Sequence, residues 1–380
     1  RLLVSLGVVD VYVRRGLYMH VLIVGSGISG LRLADLLSDT DVTFNIIEAR
    51  DRIGGRVLTE TPSNENYFDL GPTWFWPEKE PKIVDLIEEL QLSTIEQYNN
   101  GQSLLELSDN NPVKFIKATE VNSYCKRIEG GVNALVQAIY QRIPTINIDL
   151  NTRATAIKRN EDQTFTVTAV NNRTEDERTY DADAVVFTLP PRLLFENIDF
   201  TPELPETVKV DLLNKPTWMG AQAKAIVTYN QPFWRKDELS GNVISWQGPL
   251  REIYDVTTPN GDSALFGFFG LAPADRKRET LASIEDKVVN QLVRLFGEEA
   301  RDYKAFYYKD WSQDDYTVTP GDTLNIESFP TYGQPPAYID NVYFAGTEYD
   351  AKNGGHLEGA LASAEHTFNN LTHQSMTKER

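Results

Sequence analysis

Two patterns of apolar positions run along this chain: short buried runs that suit strands, and a spacing near 3.6 that suits helices. Residues 19–24 are rich in Val and Ile and read as a short buried strand. Glycines follow at 25, 27 and 30, after which Leu31, Ala34, Leu36 and Leu37 share one helix face with Leu33 at its edge. "TFNIIEAR", residues 43–50, reads as a second buried strand ending at Glu48. Helical spacing returns at 81–92, after a proline, and at 130–143. Short strands are expected at "INIDL" (146–150), "FTVTAV" (165–170) and "YDADAVVFTLPP" (180–191), with the polar "NNRTEDER" as a hairpin loop between the last two. "AKAIVTY" (223–229) and "SALFGFFGL" (263–271) predict strands of other neighbourhoods, and 280–296 a helix. "NVYFAGTEYD" (341–350) predicts a strand running into a glycine-bearing loop, and "HLEGALASAEHTFNNL" a final helix.

One glycine-rich strand–loop–helix lies near the start and another near the end, with no internal repeat or long linker between them. The simplest arrangement is two interleaved domains. Residues 19–78, 128–208 and 336–372 are expected to form one, and 79–127 with 209–335 the other. Residues 1–18 are apolar but interrupted by Asp10, and Met19 looks like a natural start, so they read as an N-terminal extension. A chain of 380 residues is long enough to bury a core in each domain.

Asp and Glu number 55 against 37 Lys and Arg, a net charge of −18, which argues against nucleic acid or an anionic membrane as partner. Cys125 is the single cysteine, so an internal disulfide and a cysteine-rich metal site are excluded and a reducing cytoplasm fits. No run of about 18 apolar residues suggests a membrane span. No metal-ligand cluster, Ser–His–Asp order or phosphate-loop lysine points to another chemistry.

The first glycine loop carries the chemistry that the pattern does suggest. Gly25 permits a tight turn, Gly27 lets a bulky group approach the backbone, and Gly30 lets the helix pack on the strand. The helix N-terminus offers unpaired N–H groups to a diphosphate. Glu48 follows about 20 residues on, where a carboxylate accepts hydrogen bonds from a ribose diol and repels a 2′-phosphate. In "EARDRIGGRV", Gly54 and Gly55 form a second flexible turn flanked by Arg52 and Arg56. That turn suits a diphosphate held at two places, or else is a plain surface turn.

The combination resembles the large flavoprotein group whose FAD site has a glycine–glycine–arginine turn after the ribose acid. With "YFAGTEYDAKNGGHLEGALASAE" added, residues 19–371 resemble the flavin-dependent amine oxidases of the monoamine oxidase and polyamine oxidase group. The resemblance implies an α/β fold: a Rossmann-like FAD-binding domain interleaved with a substrate domain of mixed sheet and helices, with FAD between them. It implies cofactor contacts at Gly25, Ser26, Gly27, Ile28, Ser29, Gly30, Glu48, Ala49, Arg50, Gly54, Gly55 and Arg56. In "DLGPTWF", Gly71, Pro72 and Thr73 would pass beside the flavin ring and Trp74 would line the cavity. Trp74, Phe75 and Trp76 are otherwise ordinary core aromatics. Ala154 matches a position whose backbone meets adenine, Trp311 a tryptophan near the flavin, and Gly346 and Glu348 the ribityl–diphosphate region. Gly355, His356, Leu357 and Ala360 place a helix N-terminus under the pyrimidine carbonyl. Lys224 matches a lysine that holds a water at flavin N5; the alternative is an edge-strand lysine facing water. The candidate catalytic residues are Lys224 and His356, and the candidate substrate contacts Trp74, Phe268 and His356. His356 is otherwise a capping or packing histidine.

The chain departs from the family pattern in two respects. The monoamine oxidases attach FAD through a cysteine where Pro320 stands here, so non-covalent FAD is expected. Their two flanking tyrosines correspond to Gly321 and His356, so the aromatic cage is missing. The resemblance thus implies oxidation of an amine C–N bond to an imine, with O2 reoxidising the flavin to give hydrogen peroxide. Two readings share the same FAD motifs: a desaturase or dehydrogenase of C–C or C–O bonds with another acceptor, and a non-enzymatic FAD-binding redox sensor.

Overall fold

The computed structural model describes residues 19–108, 113–117, 124–143, 148–323 and 330–378. The N-terminal extension at 1–18 and the first two residues of the expected strand "INIDL" lie outside these. The described residues form two compact units. One falls within Arg1–Ile53, Ile139–Lys215 and Tyr332–Arg380, the other within Gly54–Ala138 and Pro216–Thr331. The first-domain segments expected from sequence also included 54–78 and 128–138, which group with the second unit. Asp69 explains why: its carboxylate accepts from Val132 N at the start of one helix, and its carbonyl from Lys224 Nζ.

In the first unit, β1 (His20–Val24) is the middle strand of a five-stranded parallel sheet, followed by α1 (Ile28–Ser38) and β2 (Thr43–Ile47). Strand order is Val342–Phe344, Ala184–Phe187, β1, β2, Ile148–Asp149. With neighbours on both sides, β1 is buried from Val21 to Val24, hence its uninterrupted apolar run. Leu33, expected at the edge of the helix face, is fully buried, whereas Leu36 is only half-buried. The C-terminal helix Leu357–Lys378 also packs on α1, so the covered face is wider than one sheet requires.

The run 180–191 is not one strand. Glu177–Ala182 belongs to an antiparallel pair with Phe165–Asn171, and Ala184–Phe187 to the parallel sheet. Asp183 makes the switch: it accepts from His20 N at 2.7 Å and donates its own N–H to His20 O. The hairpin expected at "NNRTEDER" is present, closed by Asn171 Oδ1 accepting from the N–H groups of Arg173 and Thr174.

The second unit is built on a seven-stranded mixed sheet. Its order is Ala305–Asp310, Ala223–Tyr229, Ser263–Phe269, Leu250–Asp255, Leu239–Ser245, Gln102–Glu106, Lys114–Lys117. One face packs on the helix Leu281–Phe296 through Ile284, Val288 and Leu292. Thr280 caps that helix by accepting from Ser283 N. The other face carries Lys224, Phe266, Phe268 and Tyr254. Among the described residues, no helix is long and apolar enough to cross a membrane.

Candidate active site

Each unit holds part of the predicted site. In the first, the chain turns out of β1 at Gly25, whose φ of +107° is the left-handed region that favours glycine. A Cβ there would lie 2.4 Å from Thr188 Oγ1, and one on Gly30 only 2.1 Å from the carbonyl oxygen of Gly25. Both glycines are therefore required by the protein itself. Gly27 is different. Its φ of −68° suits any residue, and an added Cβ would meet nothing within 4 Å. No protein atom accounts for the missing side chain. Ser29, one residue into α1, has a buried hydroxyl without a hydrogen-bond partner. An open approach to the backbone, an orphaned hydroxyl and a helix N-terminus together fit a diphosphate.

Glu48 closes this loop from the end of β2. Only 4% exposed, it accepts from Ser26 N at 2.8 Å and Ser26 Oγ at 3.0 Å through Oε2, and from Arg50 N at 2.8 Å through Oε1. A carboxylate has about four lone-pair sites, so it can serve the loop and still accept from a ribose hydroxyl. Ala49 O is bonded by Asn172 Nδ2. Ala154 sits at a bulge in its strand, buried in the core of this unit.

The C-terminal loop lies in the same unit. Gly346, with φ of +142°, donates to Ser363 Oγ, and Glu348 is fully buried. Gly355, with φ of +91°, and His356 precede the helix that starts at Leu357; Ala360 is buried on its first turn. The His356 carbonyl accepts from Thr347 Oγ1 at 2.7 Å, which ties the helix start to the loop.

In the second unit, Gly54 and Gly55 both have positive φ, and Val57 N closes a turn onto Gly54 O. A Cβ at Gly71 would lie 2.2 Å from Arg56 O, so the two glycine segments run in close contact. Lys224 is not an edge lysine. It sits on an internal strand, 3% exposed, and donates to Asp69 O at 3.0 Å, Gly71 O at 2.6 Å and Thr73 Oγ1 at 2.6 Å. Loss of hydration lowers its pKa from 10.5 to about 7, opposed by the charge of Asp69. Trp311 Nε1 takes the intervening carbonyl, Leu70 O, at 2.9 Å. Three successive carbonyls thus gather Lys224 and Trp311 against the loop bearing Gly71, Pro72, Thr73 and Trp74.

Trp74 is half-buried, its Nε1 bonded to Gln97 Oε1, while Phe75 is a core residue. The Trp74 ring lies 4.8 Å from Tyr254, 5.2 Å from Phe266 and 6.4 Å from Phe268. The sequence reading named Phe268 and missed Phe266 and Tyr254. Strand alternation was the available signal: Phe266 is two residues from Phe268, so both face one side.

Residues 100–367 match the model of the family "Flavin containing amine oxidoreductase", and residues 23–90 that of an NAD(P)-binding Rossmann-like domain. Human flavin-containing amine oxidase B is 26% identical over 459 aligned positions, spanning 93% of this chain and 86% of that protein. A putrescine oxidase solved with putrescine bound matches with a TM-score of 0.76 at 20% identity, over 94% of this chain and 99% of the other. Cyclohexylamine oxidase from Brevibacterium oxydans IH-35A matches with a TM-score of 0.76 at 19% identity, over the same shares. These structural likenesses carry the fold, and the family match over most of the chain carries the class of chemistry: this protein belongs to the flavin containing amine oxidoreductase family and is a flavin-dependent oxidoreductase.

Proposed function

We propose that this enzyme binds FAD without a covalent link and oxidises an amine to an imine, with dioxygen as final acceptor and hydrogen peroxide as product. Bound FAD would supply the acceptor for the hydride equivalent leaving the carbon beside the amine nitrogen. The chain's own residues do the rest. Residues 25–30 and Glu48 hold the diphosphate and a ribose, with residues 54–56, Ala154, Gly346 and Glu348 as further contacts. Cys125, the single cysteine, is buried and its thiol pushed up to about 11, which supports a non-covalent cofactor. Trp74 and Phe268 are the substrate contacts proposed in the second unit, and His356 the one proposed in the first.

The observation that carries this reading is Lys224. A buried ammonium beside aromatic rings is costly, and here it is held against the 69–73 loop by three acceptors. Near neutrality Lys224 loses its charge readily, and the neutral amine has a lone pair that exchanges a proton with a neighbouring water. Its role is proton handling and water placement beside the cofactor ring, not direct attack on substrate. Steady-state assays with a panel of primary, secondary and aromatic amines test the proposal. The expected result is equimolar peroxide and carbonyl product from at least one class; amine consumption with no peroxide would remove dioxygen as acceptor.

A further inference from the structure

The three hydrogen bonds of Lys224 are not equivalent. Asp69 O and Gly71 O are carbonyls, which only accept. Thr73 Oγ1, at 2.6 Å, belongs to a hydroxyl, which can accept or donate. On the other side of Nζ stand the Phe266 ring, its centre 4.4 Å away, and the Phe268 ring at 5.2 Å. Those rings favour the charged form and give a lone pair no partner.

The hydrogens on Nζ sort these partners. A charged ammonium has three and meets three acceptors, one each. The neutral amine has two hydrogens and a lone pair. The two hydrogens suit the carbonyls, and the lone pair then needs a donor, which of the three only Thr73 can become. Thr73 is 6% exposed, and its own hydroxyl hydrogen has no acceptor among the described residues, which leaves it for a water. The charged and titratable groups nearby are otherwise engaged, and none is bonded to Nζ. The Asp69 carboxylate accepts from Thr59 Oγ1 and Val132 N and feels the charge of Arg127. Lys309, opposite Lys224 on the neighbouring strand, is bonded to Asp314 at 2.7 Å, and Tyr307 on that strand has its pKa raised by burial. Glu252, two strands away, accepts from Tyr254 OH.

We propose that the Thr73 hydroxyl is the relay through which Lys224 exchanges its proton with the water beside it. This relay rests on the proton-handling role of Lys224 proposed above and names the group that carries it out. On release, an N–H bond of Nζ breaks as an O–H bond forms on Thr73 Oγ1, and the original Thr73 hydrogen passes to the water and on to solvent. The hydrogen just received then lies between Oγ1 and the amine lone pair, so the neutral state is hydrogen-bonded without any side chain turning. Uptake runs the same steps in reverse.

The test compares Thr73→Val, which keeps the shape and removes the hydroxyl, with Thr73→Ser, which keeps the hydroxyl. Lys224 retains two carbonyl acceptors in Thr73→Val and can shed its charge, so the fold should survive. Nitrogen NMR of protein labelled with 15N-lysine, its Lys224 signal assigned by loss in Lys224→Met, reads the titration of Lys224 and the exchange of its Nζ hydrogens with solvent. Stopped flow on the holoenzyme reads flavin reoxidation by oxygen against pH. Thr73→Val should lower the Lys224 pKa, because the ammonium loses an acceptor. It should slow both exchange and reoxidation by roughly 100-fold, the lower end of what a positioned proton-transfer group contributes. Thr73→Ser should restore both. The exchange measurement needs no flavin, so it reads Thr73→Val even if that variant loses FAD. Unaltered exchange in Thr73→Val, or exchange as slow in Thr73→Ser as in Thr73→Val, would overturn the relay and leave the Lys224 role intact. Normal reoxidation in Lys224→Met would overturn both.

Discussion

Two glycines three residues, about 4.5 Å of helix, apart make opposite predictions, because one is required by the protein and the other is not. Gly27→Val places a branched side chain where the protein has nothing within 4 Å and where φ is −68°. The fold should barely notice, since valine for glycine at a helix N-cap costs roughly 0.5–1 kcal/mol. The diphosphate should notice strongly. Displacing it from two N–H donors forfeits about 1.5–3 kcal/mol for each charge-assisted bond. That corresponds to a rise in the FAD dissociation constant of about 100- to 10,000-fold. Gly30→Ala does the reverse: its Cβ would lie 2.1 Å from a backbone oxygen that cannot rotate away. Overpacking of that kind costs roughly 1–3 kcal/mol or more, beyond the roughly 1 kcal/mol alanine gains in a helix. Urea midpoints followed by circular dichroism report the fold, and FAD titrations followed by fluorescence report binding. Gly27→Val should keep its midpoint and lose FAD, and Gly30→Ala should lose its midpoint. If Gly27→Val binds FAD normally, the diphosphate does not lie at this loop.

Four further outcomes are expected. Acid precipitation should release all flavin into the supernatant; flavin retained on the precipitated chain would show a covalent link. Lys224→Met should slow flavin reoxidation by oxygen more than it weakens FAD binding, and normal reoxidation would exclude the proton-handling role. The same variant has a stability signature: between pH of about 7 and 10.5, the unfolded chain binds the proton that folded Lys224 has released, so stability rises with pH. Lys224→Met should flatten that rise, and a urea-midpoint series across this range measures it. His356→Phe should retain FAD, because the His356 backbone, which the substitution keeps, ties the helix start to its loop, yet slow anaerobic flavin reduction and alter its pH dependence. Unchanged reduction at all pH values would make His356 a packing residue.

Local devices were legible in the sequence. The strand–glycine–helix unit at 20–38, the acid at the end of β2 and the amphipathic helix Leu281–Phe296 each follow from a period or spacing that its own residues carry. What escaped depended on partners distant in sequence. Leu33 is buried on a helix that also packs against one more than 300 residues away, and Asp183 divides one apolar run between two sheets by bonding to His20. The second unit was hardest to read. Lys224 in an apolar strand was conspicuous, but its acceptors, Asp69 O, Gly71 O and Thr73 Oγ1, are set by chain tracing and not by periodicity. Tyr254 was hidden for the same reason: in "REIYD" it looks like part of an ordinary alternating strand, and only the register against Phe266 sets it on the lysine-bearing face of the sheet.

The central claim is that an amine delivers its electrons to flavin held by this chain. The most direct measurement is anaerobic mixing of the purified holoenzyme with monoamines and diamines while the visible flavin absorbance is followed, with oxygen admitted afterwards. The account predicts complete bleaching by at least one amine at a rate that saturates with its concentration, and recovery of the absorbance with stoichiometric peroxide once oxygen enters. A flavin that stays oxidised with every amine, yet bleaches with an alcohol or an alkane-to-alkene substrate, would contradict it.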